Sequence, residues 1–334
     1  MTTLQPISQV EAIKHIEGFA EQQLSLLLPV QTAWQPTDFL PNLTGDLWRE
    51  EVQKVREGAQ GLSDELLIVL IGDMVTEEAL PTYQTLLNRA NGISDSTGTD
   101  DSPWARWTRG WTAEENRHGD LLNRYLYLTG RVDMKAVEVT IQYLLRNGFD
   151  PHTGNSAYRG FLYTSFQERA TKVSHSNVAQ AAARLGDPVL AKICSTIAGD
   201  EARHEEAYKR FIGKLLEIDP AGIITTFADM MRLTIAMPAE QMTDDQSTNL
   251  YNQFAAVAQR IGVYTARDYA DIVEHLLTYW RIADFKNLPA AAISAQDHVC
   301  GLPAYYRRLA DRLEVRLSRQ GAKVPFRWIF NRAV

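Results

Sequence analysis

Two segments of this chain place a glutamate and a histidine three residues apart within a stripe of apolar side chains. In "TIAGDEARHEEAYKRF" the pair is Glu201 and His204, and Ile197 and Phe211 continue the same stripe on either side. Residues three and four positions apart share one face of a helix, and a mainly apolar face packs into a core. A carboxylate buried there without a partner would cost several kcal/mol. The pair is therefore a candidate for chemistry rather than for packing.

The same pattern occurs a second time, and each copy follows a helix that carries one more glutamate. In "WTRGWTAEENRHGDLLNRYLYL" the pair is Glu115 and His118, again between apolar residues. Glu77 lies on an apolar stripe of "LLIVLIGDMVTEEALPTYQ", and Glu168 lies on a similar stripe of "GFLYTSFQERATKVSH". The order along the chain is therefore a glutamate helix followed by a Glu-x-x-His helix, and then the same two again.

Four antiparallel helices with these faces turned inward would gather four carboxylates and two imidazoles at one depth. Two divalent cations about 3.5–4 Å apart would balance the four negative charges, with glutamates bridging them. One Glu-x-x-His pair is common on solvated helices, but the doubled arrangement is typical of the dimetal centres of ferritin-like bundles. The spacing suits manganese as well as iron. Four further acids are either partners of the ligands or surface charges: Asp73, Glu114, Asp120 and Asp200.

Helical periodicity dominates the elements that must position these residues. It predicts an all-α fold in one domain over residues 1–334, with a ferritin-like four-helix core and additional packed helices. The segment 91–104 is the most loop-like, and only the tail "KVPFRWIF" suggests a short hairpin. The predicted helices cover residues 7–29, 47–58, 64–91, 108–129, 133–147, 155–185, 188–217, 220–236, 246–260, 266–282 and 302–318.

Composition excludes several classes of protein. Of the 334 residues 45% are hydrophobic, and the net charge of −7 argues against general nucleic-acid binding, which needs a lysine- and arginine-rich face. Cys194 and Cys300 are too few for a disulfide framework and suit a reducing compartment. No apolar run reaches the length of about 18 residues that a membrane span needs. The first residues also lack the pattern of a signal or transit peptide, so we expect a soluble intracellular protein.

Longer stretches of the chain closely resemble one known family, the soluble acyl-acyl carrier protein (acyl-ACP) desaturases typified by the plant stearoyl-ACP enzymes. The resemblance covers nearly the whole chain, apart from the first few residues and the loop at 91–104. The stretches that carry it are "WQPTDFLP" (34–41), "GDMVTEEALPTYQ" (72–84), "WTAEENRHGDLLNRYLYLTGRVDM" (111–134), "YTSFQERAT" (163–171), "DEARHE" (200–205), "FADMMR" (227–232), "AVAQRIGVYTARDYADI" (256–272) and "PFRWIF" (325–330).

This resemblance implies a role for each candidate residue. It implies two iron ions per chain, held by the six residues that the spacing also selects: Glu77, Glu115, His118, Glu168, Glu201 and His204. It implies Thr171 as a hydroxyl on the oxygen-binding side and a path for electrons through Trp34 and Asp200 to His118. It also implies an acyl pocket lined by Leu86, Arg89, Ala90, Pro151, Gly160 and Phe161, although Arg89 would be unusual in an apolar tunnel and Gly160 could equally be a helix-packing glycine.

The activity implied by the resemblance is an O2-dependent desaturation. A saturated acyl chain on acyl carrier protein (ACP), stearoyl or palmitoyl, would gain a cis double bond at Δ9, with ferredoxin as electron donor. The implied enzyme is a homodimer of the bacterial cytoplasm or, as a mature form, of the plastid stroma. Ala202 replaces the lysine that plant members usually carry, which could alter a surface contact. An acidic carrier protein needs a local basic patch near the tunnel mouth, and the candidates are Arg49, Lys54 and Arg56, or Lys209 and Arg210.

Three other functions remain open on the residues alone. A ferritin-type iron store would use similar ligands, but it would need neither the extra helices nor a second apolar tunnel. A related dimetal oxidase that generates a radical would need a tyrosine near the cluster, and Tyr125 and Tyr208 lie close to the ligand histidines in the sequence. A helical interaction protein with buried ion pairs would bind no metal at all.

Overall fold

The computed structural model describes residues 7–317 and 323–334, which form thirteen α-helices and one two-stranded sheet. The all-α prediction is confirmed. The helices are α1 (Gln9–His15), α2 (Glu17–Gln23), α3 (Trp48–Gln60), α4 (Asp64–Glu77), α5 (Leu80–Leu87), α6 (Pro103–Thr129), α7 (Met134–Asn147), α8 (Ala157–Arg184), α9 (Pro188–Leu216), α10 (Pro220–Leu233), α11 (Leu250–Ile261), α12 (Ala266–Tyr279) and α13 (Ala290–Leu317).

Most of the long helices begin at a side-chain cap. The Ser102 hydroxyl accepts a hydrogen bond from the backbone of Ala105, and Pro103 occupies the first turn, where a missing N–H costs nothing. This cap starts α6 at 103 rather than at the predicted 108. Asp187 caps α9 in the same way, and Gly130, with a φ of 67°, ends α6 in the left-handed conformation.

Two predicted helices are broken in the structure. The helix predicted over 64–91 ends at Glu77 and resumes as α5, because the ring of Pro81 would clash with the carbonyl of Glu77 four residues earlier. That carbonyl instead accepts a long hydrogen bond from the Tyr83 hydroxyl, at 3.4 Å. The helix predicted over 7–29 divides into α1 and α2 at Ile16, whose backbone is not helical.

The last helix begins earlier than the sequence indicated. The predicted start at 302 is wrong, because α13 begins at Ala290 and runs through Pro303. Ala295, Val299 and Leu302 are buried at steps of four and three residues, and α13 packs against α10 and α12. Apolar packing on this face therefore outweighs the single backbone hydrogen bond that proline removes.

Four helices form the bundle that carries the candidate residues. Helix α4 packs against α6 and α8, and α9 packs against the same two. Gly72 allows a close approach of α11 to the bundle, since a Cβ there would overlap the ring of Phe254. Two apolar clusters fill the interior, one containing Trp111 and Tyr208 and the other containing Leu122 and Ile197. The Glu-x-x-His pairs lie between these clusters, in the middle of the core.

A C-terminal hairpin ties the tail to the start of the bundle. Strand β1 (Pro325–Phe326) pairs antiparallel with β2 (Arg332–Ala333), so the predicted hairpin is present but its second strand lies just beyond "KVPFRWIF". The indole of Trp328 donates to the Thr140 hydroxyl at 2.9 Å, and Arg332 donates to the Asp64 carboxylate at 2.7 Å. Among the described helices, none has the length and apolar character needed to cross a membrane.

Candidate dimetal site

The six residues chosen from the sequence spacing come together in the middle of the bundle. They form two overlapping groups in which one potential ligand atom of each residue lies within 4.8 Å of every other. The first group contains Glu77 and His118, and the second contains Glu168 and His204. Both groups contain Glu115 and Glu201. Two residues with two carboxylate oxygens each are thus shared between two candidate metal positions, as in a carboxylate-bridged pair.

Both imidazoles point the same nitrogen at the shared carboxylates. Nδ1 of His118 lies 3.3 Å from Oε1 of Glu201, and Nδ1 of His204 lies 2.7 Å from Oε1 of Glu115. The other nitrogen, Nε2, faces an outer carboxylate, at 3.4 Å in Asp200 for His118 and at 3.0 Å in Glu114 for His204. Ligand histidines are commonly oriented by such an outer partner, which fixes the tautomer.

The outer carboxylates reveal a doubled motif longer than Glu-x-x-His. The sequences "EENRH" and "DEARH" both read acid-Glu-x-Arg-His, and in each the first acid contacts the histidine of the other helix. Nη2 of Arg203 lies 2.7 Å from Glu114 and 2.5 Å from Asp200, so one arginine joins both acids. The sequence left open whether Glu114 is a partner of the ligands or a surface charge, and here it contacts a ligand histidine. The repeat of an acid and an arginine in both motifs was the signal that could have identified it.

The two outer glutamates of the cluster have different neighbours. Glu77 receives Nε2 of His175 at 2.9 Å, whereas Glu168 receives the indole N–H of Trp111 at 2.9 Å. Burial raises the pKa of Glu77, but the neighbouring imidazoles of His118 and His175 outweigh it and lower this pKa to about 2. Burial and the nearby charge of Glu115 raise the pKa of Glu168 well above its usual value. His175 was not selected from the sequence, where nothing distinguished it.

Electrostatics and unpaired atoms both fit the binding of cations here. Burial, together with the neighbouring Glu201, raises the pKa of Glu115 to about 7, which measures how unfavourable its charge is without a counter-ion. Within the part of the chain that the structure describes, several buried atoms of the cluster lie close to one another but at angles that do not allow a hydrogen bond: Oε1 of Glu115, Nδ1 of His118, both carboxylate oxygens of Glu201 and Nδ1 of His204. These atoms are metal-ligand types and are directed at one another, so the residues present fit a pair of divalent metals.

Trp34, Asp200 and His118 are in contact, as the sequence interpretation required. The Trp34 indole donates to Asp200 at 3.0 Å, and its ring stacks on that of His118 with centroids 6.1 Å apart. Arg117 lies over the Trp34 ring and donates to its carbonyl. Because Trp34 is partly exposed, this contact connects the cluster with the surface of the protein.

Two cavities meet at the cluster. Cavity A is mainly apolar, and its lining includes four of the six predicted pocket residues: Leu86, Ala90, Pro151 and Gly160. Cavity B is larger, at about 550 Å³, and lies among α4, α8, α11, α12 and α13. Both are lined by Thr76, Glu77, Gln167, Thr171 and Pro238, so they adjoin beside Glu77. The Thr171 hydroxyl is bonded to helix carbonyls at 3.1 Å at this junction.

Several sequence candidates do not lie where the interpretation placed them. Arg89 is exposed, and Phe161 packs in an aromatic cluster with Trp104 and Phe211, so neither lines cavity A. Asp120 pairs with Arg124 at the surface. The remaining candidates are engaged in other contacts: the half-buried Asp73 accepts from Ser174, and the buried Tyr125 and Tyr208 donate to Asp187 and pack against Trp107, respectively.

The fold and the site define a helical bundle protein with a carboxylate-rich dimetal site. The pattern of the fatty acid desaturase family matches residues 8–330, and the chain belongs to this family. It is 54% identical over 330 residues to the chloroplastic stearoyl-ACP 9-desaturase 1 of Arabidopsis thaliana, covering 98% of this chain and 84% of the relative. The chloroplastic stearoyl-ACP 9-desaturase of Ricinus communis is 53% identical over 335 residues, covering 100% of this chain and 84% of the relative.

A solved structure supports the fold. The X-ray structure of DesA2 from Mycobacterium tuberculosis H37Rv superimposes with a TM-score of 0.54, covering 85% of this chain and 99% of that one. Its sequence identity is 20%, so it bears on the architecture alone.

Proposed function

We propose that this protein is an acyl-ACP desaturase that uses O2 to place a cis double bond at Δ9 of a saturated chain. One observation carries the proposal: the two candidate metal groups share Glu115 and Glu201 and border a mainly apolar cavity. The names of the relatives supply the substrate, a stearoyl chain on ACP. An iron store has no use for such a cavity, and this favours the desaturase over the ferritin-type alternative.

We propose two iron ions as the metals of the site. Glu77 and His118 would hold one ion, Glu168 and His204 the other, and Glu115 and Glu201 both. When bound and reduced, a di-iron pair reacting with O2 supplies the oxidising power for an unactivated C–H bond, which no side-chain base has. The protein contributes the ligand geometry, and Asp200 and Glu114 contribute the orientation of the imidazoles.

The chain's own residues bind and orient the substrate in this proposal. The saturated chain would enter through cavity B, pass Glu77 and Thr171 at the junction, and extend its methyl end into cavity A. Leu86, Ala90 and Gly160 would exclude water there and limit the chain length. Holding one pair of carbons beside the cluster is what restricts the reaction to one position. Thr171 would present its hydroxyl to the reacting face.

We also propose the partners and the compartment. Ferredoxin would deliver electrons through Trp34 and Asp200 to His118, because these residues are in contact from the partly exposed indole inward. The active unit would be a homodimer, in a bacterial cytoplasm or a plastid stroma. Light scattering at micromolar concentration checks the assembly, and a monomeric mass with full activity would contradict it.

The decisive experiment supplies each substrate to the iron-loaded protein. Anaerobic reduction is followed by O2 with stearoyl-ACP or palmitoyl-ACP, and mass spectrometry of the products locates the double bond. We expect one cis double bond at Δ9 and at most slow turnover of acyl-CoA or free fatty acid. Iron uptake with O2 consumption but no unsaturated product would favour the storage or oxidase alternatives.

A further inference from the structure

We propose that the exposed side of α13 around Arg308 and Arg312 receives the acidic carrier protein that presents the acyl chain. This inference rests on the proposed function, since it names the docking surface for the substrate of the same site. Tyr305 and Leu309 complete the surface, and the four residues are called the α13 patch below.

The α13 patch borders the place where cavity B opens to solvent. Three lining residues of the cavity are exposed, namely Thr234, Asn252 and Leu309, and they come from the segment after α10, from α11 and from α13. Glu77 of the metal cluster, which is buried, also lines this cavity. A chain that reaches the cluster through cavity B must therefore be delivered beside α13.

The helix presents three different sides to its surroundings. Tyr306, Leu309 and Leu313 line cavity B at steps of three and four residues. A second side pairs with α12: Arg307 lies 2.8 Å from Asp271, and Asp311 lies 2.8 Å from Arg267. These charges neutralise one another and are not available to a partner.

The third side of α13 carries two exposed cations. Arg308 and Arg312 are exposed, and no salt bridge joins either of them to any residue within 7–317 or 323–334. They are one helical turn apart, so they point the same way, about 5–6 Å from each other at Cβ. Tyr305 and Leu309 add exposed apolar surface, at 48% and 37% exposure. In a chain with a net charge of −7, such a local excess of positive charge is what an acidic partner can recognise.

The patches suggested by the sequence do not occupy this position. Helix α3, which carries Arg49, Lys54 and Arg56, packs against α6 and α9, and none of its residues lines cavity A or cavity B. Lys209 is buried with its ammonium group 2.9 Å from Glu205, and Arg210 pairs with Glu206 at 2.8 Å. Distance from the cavity lining excludes α3, and internal ion pairs exclude Lys209 and Arg210, so the α13 patch is selected instead.

The test compares two double charge reversals in the iron-loaded protein. Arg308→Glu with Arg312→Glu should raise KM for stearoyl-ACP about tenfold at low salt and leave kcat unchanged. The matched control, Arg49→Glu with Lys54→Glu on α3, should leave both constants unchanged. Iron content and circular dichroism establish that each variant is folded. The difference in KM between the wild type and the α13 variant should diminish at 1 M salt, where the Debye length falls to about 3 Å.

Two further measurements separate this inference from the proposed function. Stearoyl-pantetheine lacks the acidic protein, so the wild type and the α13 variant should turn it over at the same rate. If the variant loses as much activity on stearoyl-pantetheine as on stearoyl-ACP, the substitutions have damaged the cavity and the inference is overturned. Direct titration with holo-ACP measures docking without turnover. If the wild type desaturates nothing, the proposed function fails. If the wild type is active but the α13 variant binds holo-ACP as tightly as the wild type, the docking surface is wrong.

Discussion

The α4/α6 half and the α8/α9 half of the bundle supply nearly the same ligands in different surroundings. Each half provides one glutamate and one acid-Glu-x-Arg-His sequence. However, Glu77 is the last residue of α4 and lines both cavities, whereas Glu168 lies inside the long helix α8 and lines cavity A alone. Glu77 also contacts the imidazole of His175, and Glu168 contacts the neutral indole of Trp111.

Because of this difference, the two sides of a nearly symmetric cluster have different access to the cavities. The α8/α9 half surrounds its ligands with continuous helix and apolar packing. In the α4/α6 half, helix α4 ends at Glu77, before Pro81, and the two cavities adjoin beside that helix end. In the proposed function, the substrate would therefore approach beside the end of α4. The predictions below would strengthen or contradict this comparison, and those on the ligands and their neighbours rest on the proposed metal site.

The largest effect is expected for the two shared carboxylates. Glu115→Ala and Glu201→Ala should each lose most of both metals and all measurable desaturation, because each removes a ligand and a charge common to both positions. Glu168→Ala should retain a larger fraction of the metal, since it belongs to one group only. Elemental analysis of the purified variants is the measurement. Full iron occupancy in both shared-ligand variants would refute the assignment.

The outer acids should differ in what they affect. Glu114→Gln and Asp200→Asn each weaken the hold on one imidazole, and loss of such a partner typically lowers metal affinity about 10–100-fold. Asp200→Asn should in addition slow reduction by ferredoxin, because Asp200 also contacts Trp34. Metal titration and stopped-flow reduction separate the two effects. Equal reduction rates in both variants would exclude a special role for Asp200.

The neighbours of Glu77 and Glu168 should have unequal importance. Trp111→Phe leaves a buried carboxylate oxygen without its donor, a loss of about 1–3 kcal/mol. This should appear as a lower melting temperature of the metal-free protein and should be largely restored when metal is bound. His175→Gln keeps a donor near Glu77 and should change the melting temperature less. Calorimetry with and without metal is the test, and the reverse order would contradict the comparison.

Cavity A should set the length of the acyl chain. A Cβ at Gly160 would lie 3.3 Å from a methyl group of Leu87, so Gly160→Leu must occupy space in the cavity. We expect the preference to shift from stearoyl- toward palmitoyl-ACP, with the double bond still at the same position. Product analysis from an equimolar mixture measures the shift, and Gly160→Ala serves as the milder control. An unchanged ratio would favour a helix-packing role for this glycine.

The smallest effect concerns the start of the α4/α6 half. A hydrogen bond from Arg332 lowers the pKa of Asp64, and burial opposes it only partly. A carboxyl group with a lowered folded-state pKa stabilises the protein above its unfolded-state pKa, near 4, and loses this contribution as the pH falls through the folded-state value. The free energy of unfolding of the Asp64→Asn variant should therefore fall less than that of the wild type as the pH is lowered from about 5 to 3. Urea unfolding at several pH values would reveal this, and an unchanged slope would contradict it.

The sequence alone determined the helices and the six clustered residues. Both follow from periodicity, because apolar spacing fixes which side chains share a face and a misplaced acid on that face is visible in one dimension. The doubled order of Glu77 with Glu115, and of Glu168 with Glu201, was enough to select the four bundle helices. The sequence also contains the signals for the helix cap at Ser102 and for the helix break before Pro81. The apolar periodicity around them nevertheless predicted a later start for α6 and a continuous helix through Pro81.

Only the tertiary structure decided the contacts that cross between helices. Glu114 and Asp200 each reach the histidine of the opposite helix, and the rotation of two packed helices about their axes determines such a pairing. The same rotation placed Arg89 in solvent, buried Lys209 beside Glu205 and left Arg308 exposed. Local spacing fixes the face on which a side chain lies, but packing decides what that face meets.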